Sequence, residues 1–178
     1  ALDQAEAFLS RIGRLVVKPA RGEQGAGISV DVSDAPTLEN SIAAARRVCD
    51  TVILEEYVQG DDLRIVVIGF QVVAAAVRRP PQIVGTGQDQ IRDLIRAQSR
   101  RRRAATGGES SIPMDDETVR CVRQSGFALK DILPEGQALT VRKTANLHTG
   151  GTIHDVTEQL HPRLAEDARA AARVLDIP

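Results

Sequence analysis

The stretch VVKPARGEQGAGISV (16–30) decides how the rest of the chain reads. RLVV (14–17) is a short apolar run with the character of a buried strand, and it delivers Lys18 at its end. Three glycines follow, Gly22, Gly25 and Gly27, and then ISVDV (28–32) alternates as a second strand does. Glycine lets backbone N–H groups approach closely and point inward, the arrangement that cradles phosphates, and Lys18 adds a point charge beside those amides. The stretch is not a Walker loop, because no Gly-Lys-Ser/Thr follows the glycines. Nor is it the dinucleotide fingerprint, whose glycine order is reversed here and whose third glycine opens a helix. Taken alone, the spacing also describes an ordinary hairpin.

Working outward, DQAEAFLSRIG (3–13) has apolar positions at helical spacing and stops at Gly13. TLENSIAAARRV (37–48), after Pro36, reads as a helix, and TVILEEYV (51–58) as a strand. The first lobe is therefore expected over 1–58 and a second over 59–178. Glu55 and Glu56 end an apolar strand, a poor place for two carboxylates unless a site lies there. LRIVVI and VVAAAV are joined across Gly69-Phe70 as a tight hairpin that Pro80-Pro81 ends. Asp62 and Arg64 stand two apart and share a strand face. Such a carboxylate can accept from ribose hydroxyls, and the arginine fork fits a phosphate. A structural ion pair on a solvated face has the same pattern.

QDQIRDLIRAQSRRRR (88–103) and DDETVRCVRQSG (115–126) are expected helices flanking AATGGESS (104–111), a loop of mobile character. ALTVRK (138–143) reads as a strand and NLHTGGTIHDVT (146–157) as a loop. HPRLAEDARAAARVL (161–175) is a last helix with Leu164, Ala168, Ala172 and Leu175 along one face. Arg142 and Lys143 lead into Asn146 and a flexible Gly150-Gly151 turn, a combination suited to an anionic substrate or a transferring phosphoryl group. His148, His154 and His161 match no metal-ligand spacing, so no metal ligand is assigned.

The 178 residues carry 23 Lys+Arg against 24 Asp+Glu, a formal charge of -1, so no global field recruits nucleic acid or an anionic membrane. With Trp 0, Tyr 1 and Phe 3, the core is aliphatic and base-stacking platforms are missing. The arginines of 92–103 form either a solvated helix face or an anion patch. Cys49 and Cys121 lie far apart without a metal or disulfide spacing and read as reduced thiols of a cytoplasmic protein. The apolar stretch 65–77 contains Gln71 and falls short of the roughly 18 residues of a membrane span. No signal peptide precedes it. The chain begins without Met inside a helix, as a piece of a longer polypeptide would.

The order strand, Lys18, glycine loop, strand, helix, strand, EEYV and GxDxR resembles the ATP-grasp ligases, whose nucleotide lies between two lobes under a glycine-rich hairpin. VAAAVRRPPQIVGTGQDQIRDLI (73–95) and NLHTGGTIHDVT are similar to the branch holding cyanophycin synthetase and the glutathione-synthetase half of bifunctional glutathione enzymes. Within it, VRKTANLHTGGTIHDVT and ATGGES resemble the N-acetylglutaminylglutamine synthetases.

The resemblance implies an α+β ATP-grasp fold of two lobes, cut at both ends. It implies ATP and Mg2+ as cofactors and small amino-acid or acyl-amino-acid substrates, with neither nucleic acid nor membrane as partner. Lys18 is then the lysine on the ATP phosphates, and Gly22, Gly25 and Gly27 the flap above them. Glu55, Glu56, Tyr57 and Val58 form the adenine hinge, and Asp62 stands at the ribose. Arg64, Arg142 and Asn146 take catalytic roles around the γ-phosphate and acyl phosphate, with Arg78, Gly150 and Gly151 at substrate and phosphate. The implied reaction joins a carboxylate and an amine through an acyl phosphate, releasing ADP. The family's acidic magnesium ligands are expected after Pro178, so these residues alone should turn over little ATP, and an exposed sheet edge should favour association with another copy. A non-catalytic nucleotide- or anion-binding module is the alternative.

Overall fold

The computed structural model describes residues 2–23 and 25–178. Helix α1 (Leu2–Ile12) buries Ala5 and Leu9 and ends where Gly13, at φ +88°, donates its N–H to the Leu9 carbonyl. A left-handed glycine is the usual helix stop, because it carries no Cβ to clash. Strands β1 (Leu15–Pro19), β2 (Ser29–Val32) and β3 (Val52–Glu56) form an antiparallel sheet in the order β2-β1-β3. Helix α2 (Ala35–Arg46) starts two residues earlier than its pattern suggests. The Asp34 side chain accepts from the Thr37 N–H, and Pro36 sits in the first turn, where its missing donor costs nothing. Leu15, Val17, Val32, Leu38, Ile42 and Ala45 close one core with α1.

The hairpin of β4 (Asp62–Ile68) and β5 (Gln71–Arg79) turns through Gly69 at φ +57° and Phe70 at φ +60°. Two consecutive left-handed residues match the twist of a two-residue hairpin. β6 (Gln82–Val84) pairs with β7 (Ala138–Thr140), and α3 (Ile91–Ala105) and α4 (Asp116–Gln124) pack near them around Ile83, Ile91, Ile95, Val122, Leu133 and Val141, a second core.

Four expectations change. Residues 146–157 are not all loop: β8 (Thr152–Asp155) adds antiparallel to β5, a strand too short and too polar to show alternation. The strand expected over 138–143 stops at Thr140, and the chain turns inward there. Residues 104–111 are not all loop: Ala104 and Ala105 close α3, Gly107–Glu109 are exposed, and Ser110 is buried and donates its hydroxyl to the Leu147 carbonyl at 2.5 Å. Helix α5 (Pro162–Val174) rests on β4 and β5 but buries no residue, and Leu164 and Leu175 stay exposed. No described helix is long and apolar enough to cross a membrane.

Candidate functional site

Alternation along β1 sends Leu15 and Val17 into the first core and leaves Val16 and Lys18 on the opposite face. Glu55 lies opposite Val16 in β3, one diagonal step from Lys18, and the Lys18 Nζ sits 2.7 Å from the Glu55 Oε1. Both side chains keep substantial exposure, so this pair is of the weakly held kind that an incoming anion can compete with. At the end of β3, the Tyr57 N–H donates to the Arg14 carbonyl at 2.9 Å, and the Arg14 guanidinium covers the Tyr57 ring at 4.7 Å. Glu56 and Val58, on either side of Tyr57, are exposed.

In the second sheet, cross-strand register builds two rows on one face. Asp62 lies opposite Arg78 and then Ile153, while Arg64 lies opposite Ala76 and then Asp155. Asp62 does not pair with Arg64. Its two carboxylate oxygens accept from Arg78, whose Nη2 approaches Oδ2 at 2.7 Å and whose Nε approaches Oδ1 at 3.1 Å. Arg64 is exposed, faces the small Ala76, and has no ion-pair partner among the described residues. Asp155, in the same row, accepts from the Thr157 hydroxyl at 2.6 Å and its N–H at 2.8 Å. Those donors hold its carboxyl below the ordinary range.

The flap glycines divide by what a Cβ would meet. At Gly22 and Gly27 it would press on Val48, at 3.1 and 3.0 Å, and at Gly27 also on the α2 backbone, so these two let the loop lie close to the helix end. At Gly25, with φ +79°, it would meet the Asn146 Nδ2 at 3.3 Å. Asn146 in turn holds the His148 N–H on its Oδ1 at 2.8 Å, which directs its NH2 toward the flap. Gly25 and Asn146, 121 positions apart in sequence, thus face each other so closely that a single added Cβ would be in tight contact.

No family model matches the chain. It is 33% identical to the cyanophycin synthetase of Trichormus variabilis over 181 residues, covering 99% of this chain and 20% of that protein. It is 30% identical to the glutathione biosynthesis bifunctional protein of Streptococcus mutans, covering 90% of this chain and 22% of that one. The chain therefore spans about a fifth of the length of these curated relatives. A crystal structure of a bifunctional glutathione synthetase from Pasteurella multocida superposes with a TM-score of 0.52 at 21% identity, covering 97% of this chain and 25% of that one. The chain has the ATP-grasp fold.

Within this ATP-grasp fold the remaining expected residues fall in a different setting. Arg142 is 3% exposed, with its Nη1 at 2.5 Å from Asp115 Oδ1 and 2.8 Å from the Thr118 hydroxyl, and its Nε is buried without a partner. Gly150 and Gly151 do not form an open, flexible turn. Both are buried, and their N–H groups donate to the Leu147 and Asn146 carbonyls within the loop. A Cβ at Gly150 would overlap Ile112, at 2.4 Å, and one at Gly151 would meet three backbone atoms at 2.8 to 3.0 Å. Here glycine serves close packing, and no amide is left for a phosphate. Cys49 and Cys121 are both free thiols, and burial, with Glu117 beside it, pushes the Cys121 thiol up to about 12.

Lys18 and Arg64 are solvent-accessible cations of the kind a polyphosphate requires. A magnesium site is different: among the described residues no group of three or more His, Cys, Asp or Glu side chains could hold a metal ion. The sequence pattern also passed over Asp31. This residue is 6% exposed and meets Arg14 from its own sheet and Lys143 from beside Arg142. Burial alone would raise its pKa, but the hydrogen bonds and charges of Lys143 and Arg14 bring it below the ordinary carboxylate range. Its signal in the sequence was one acidic residue inside an apolar strand, ISVDV.

Proposed function

We propose that this chain is the nucleotide-binding core of an ATP-dependent carboxylate–amine ligase, with a flap-bearing lobe over 1–58 and a larger lobe over 59–178. The observation that carries the reading is the exposed Arg64, without an ion-pair partner among the described residues, on the sheet face where Asp62 is already neutralised by Arg78. An arginine left without a carboxylate beside two paired charges is a fork waiting for an anion. Ligases of this fold use ATP and Mg2+. Bound ATP would supply the phosphoryl group that turns a substrate carboxylate into an acyl phosphate, which an amine then displaces as phosphate.

In this reading Lys18 exchanges its contact with Glu55 for the nucleotide phosphates, and Gly25 brings its backbone amide over them from the flap. Asn146 offers its NH2 from below. Residues Glu55–Val58 border the adenine, and Asp62 the ribose. Arg64 stabilises charge on the transferring phosphoryl group, a role for positioned donors. Arg142, fixed in the interior by Asp115 and Thr118, sets the segment that carries Asn146. The described residues offer no magnesium cluster, so no step is assigned to the metal.

The narrower reading is synthesis of N-acetylglutaminylglutamine, supported by the VRKTANLHTGGTIHDVT and ATGGES resemblance, in a cytoplasmic enzyme acting on small amino-acid derivatives. A cyanophycin- or glutathione-type amino-acid ligase is the second reading, favoured by the names of the relatives themselves. An ADP-release screen of the intact protein across amino acids and acyl-glutamines tests both. Turnover that needs an acyl-glutamine with a glutamine-type amine is the expected result. Turnover with unmodified amino acids alone favours the second reading, and none with any pair removes the ligase assignment.

A further inference from the structure

Strand β2 leaves the flap and meets a break in register: Leu15 pairs with Val32 and Val16 with Val30, so Asp31 is the extra residue of a β-bulge. Its φ is +64°, a left-handed backbone that glycine adopts freely and aspartate tolerates. The bulge turns the Asp31 carboxylate out of the sheet's alternation, where Arg14 takes Oδ1 and Lys143 takes Oδ2. The neighbouring backbone is held from the same side. Arg120 Nη2 donates to the Val30 carbonyl at 2.6 Å and, with Nε, also to the Glu117 carboxylate, and Gln124 donates to the Asp31 carbonyl at 3.4 Å. Residues 30–31 thus collect donors from α4 and from the segment leading to Asn146, only a few residues beyond Gly27.

We infer that Asp31 is a positioning residue: its bulge latches the flap-bearing sheet to Lys143 and so sets the spacing between Gly25 and Asn146. This rests on the ligase reading above for its effect on turnover, but not for its effect on structure. The path is short and continuous. Asp31 holds Lys143; Arg142, next in the chain, is anchored to Asp115 and Thr118; Asn146, four residues beyond, faces Gly25. A sheet carboxylate fixed by one cation from each side resists both sliding and opening at the flap. A bulge that re-aims a side chain at such a point is a known use of the extra residue.

The test uses the intact protein with Asp31→Gly, which suits the left-handed backbone, and Asp31→Asn, which keeps much of the hydrogen-bonding shape. Hydrogen exchange at Gly25–Ile28 reads the latch directly. The expected result is exchange faster by about tenfold in Asp31→Gly, with Asp31→Asn between it and the wild type. In ATP turnover, KM for ATP should rise by about the same factor, with a smaller change in kcat. Lys143→Met should shift flap exchange in the same direction, and the double variant Asp31→Gly/Lys143→Met should be no worse than Asp31→Gly alone, because the Asp31–Lys143 contact is already lost there. Unchanged flap exchange in a folded Asp31→Gly protein, or additive effects in the double variant, overturns the inference. Absence of ATP turnover in the wild type would count against the ligase reading, while the exchange measurement would still decide the latch.

Discussion

Two sets of residues in this molecule, each with turn glycines and an arginine, are used oppositely. Around Gly150 and Gly151 the glycines are buried, their N–H groups are consumed within the loop, and Arg142 is locked to Asp115 and Thr118. Gly25 instead faces the polar end of the Asn146 side chain, and on the second sheet the exposed Arg64 has no ion-pair partner among the described residues. The difference lies in whether the polar groups have already been satisfied. A glycine without a Cβ can admit a ligand or a neighbouring backbone, and only the destination of the amides tells which.

The largest expected effects separate the two arginines. Arg142→Met should destabilise the fold by about 3 kcal/mol, because it removes the buried hydrogen bond to the Thr118 hydroxyl and the contact with Asp115, measured by urea unfolding. Arg64→Ala should leave unfolding nearly unchanged and lower kcat by about 10²–10³ with little change in nucleotide affinity. The reverse pattern would exchange the roles of the two regions.

The glycines come next. Gly151→Ala must push against backbone on three sides and should cost about 2–3 kcal/mol of stability. Gly25→Val meets mainly the end of the Asn146 side chain, so its stability loss should be near 1 kcal/mol, from the left-handed φ, while KM for ATP rises about tenfold. Equal losses of stability at both positions, with nucleotide kinetics intact at Gly25, would erase the contrast.

The smallest effect concerns the thiols. Alkylation by iodoacetamide at pH 8 should label the partly exposed Cys49 and spare Cys121, whose thiol is buried beside Glu117 and raised to about 12. Labelling of Cys121 in the folded protein would mean that α4 opens away from β2.

The elements of residues 1–58 were legible because most carry their own signal: Gly13 stops a helix, Pro36 marks the start of another, and alternation marks β2, while the Asp34 cap was missed and the start of α2 with it. The β4–β5 hairpin was legible from two apolar runs around Gly69-Phe70. Strand β8 was not, since its four residues include one aliphatic side chain and gain strand character only by pairing with β5. Site residues divide in the same way. The Lys18–Glu55 and Asp62–Arg78 pairs join residues that sequence had marked separately. The burial of Arg142, the packing of Gly150 and Gly151, and the role of Asp31 depend on contacts across more than twenty residues of separation, which local pattern does not encode.

The proposed function puts the nucleotide at Lys18, Gly25 and Arg64 and not at Gly150 and Gly151. Hydrogen exchange of the intact protein with and without ATP tests it most directly. Added protection is expected at Lys18–Gly22, Gly25–Ile28 and Glu55–Arg64, with no change at residues 150–151, whose amides are buried and hydrogen-bonded within the loop. Protection confined to residues 146–151, or no change at Gly25–Ile28 under saturating ATP, would contradict it.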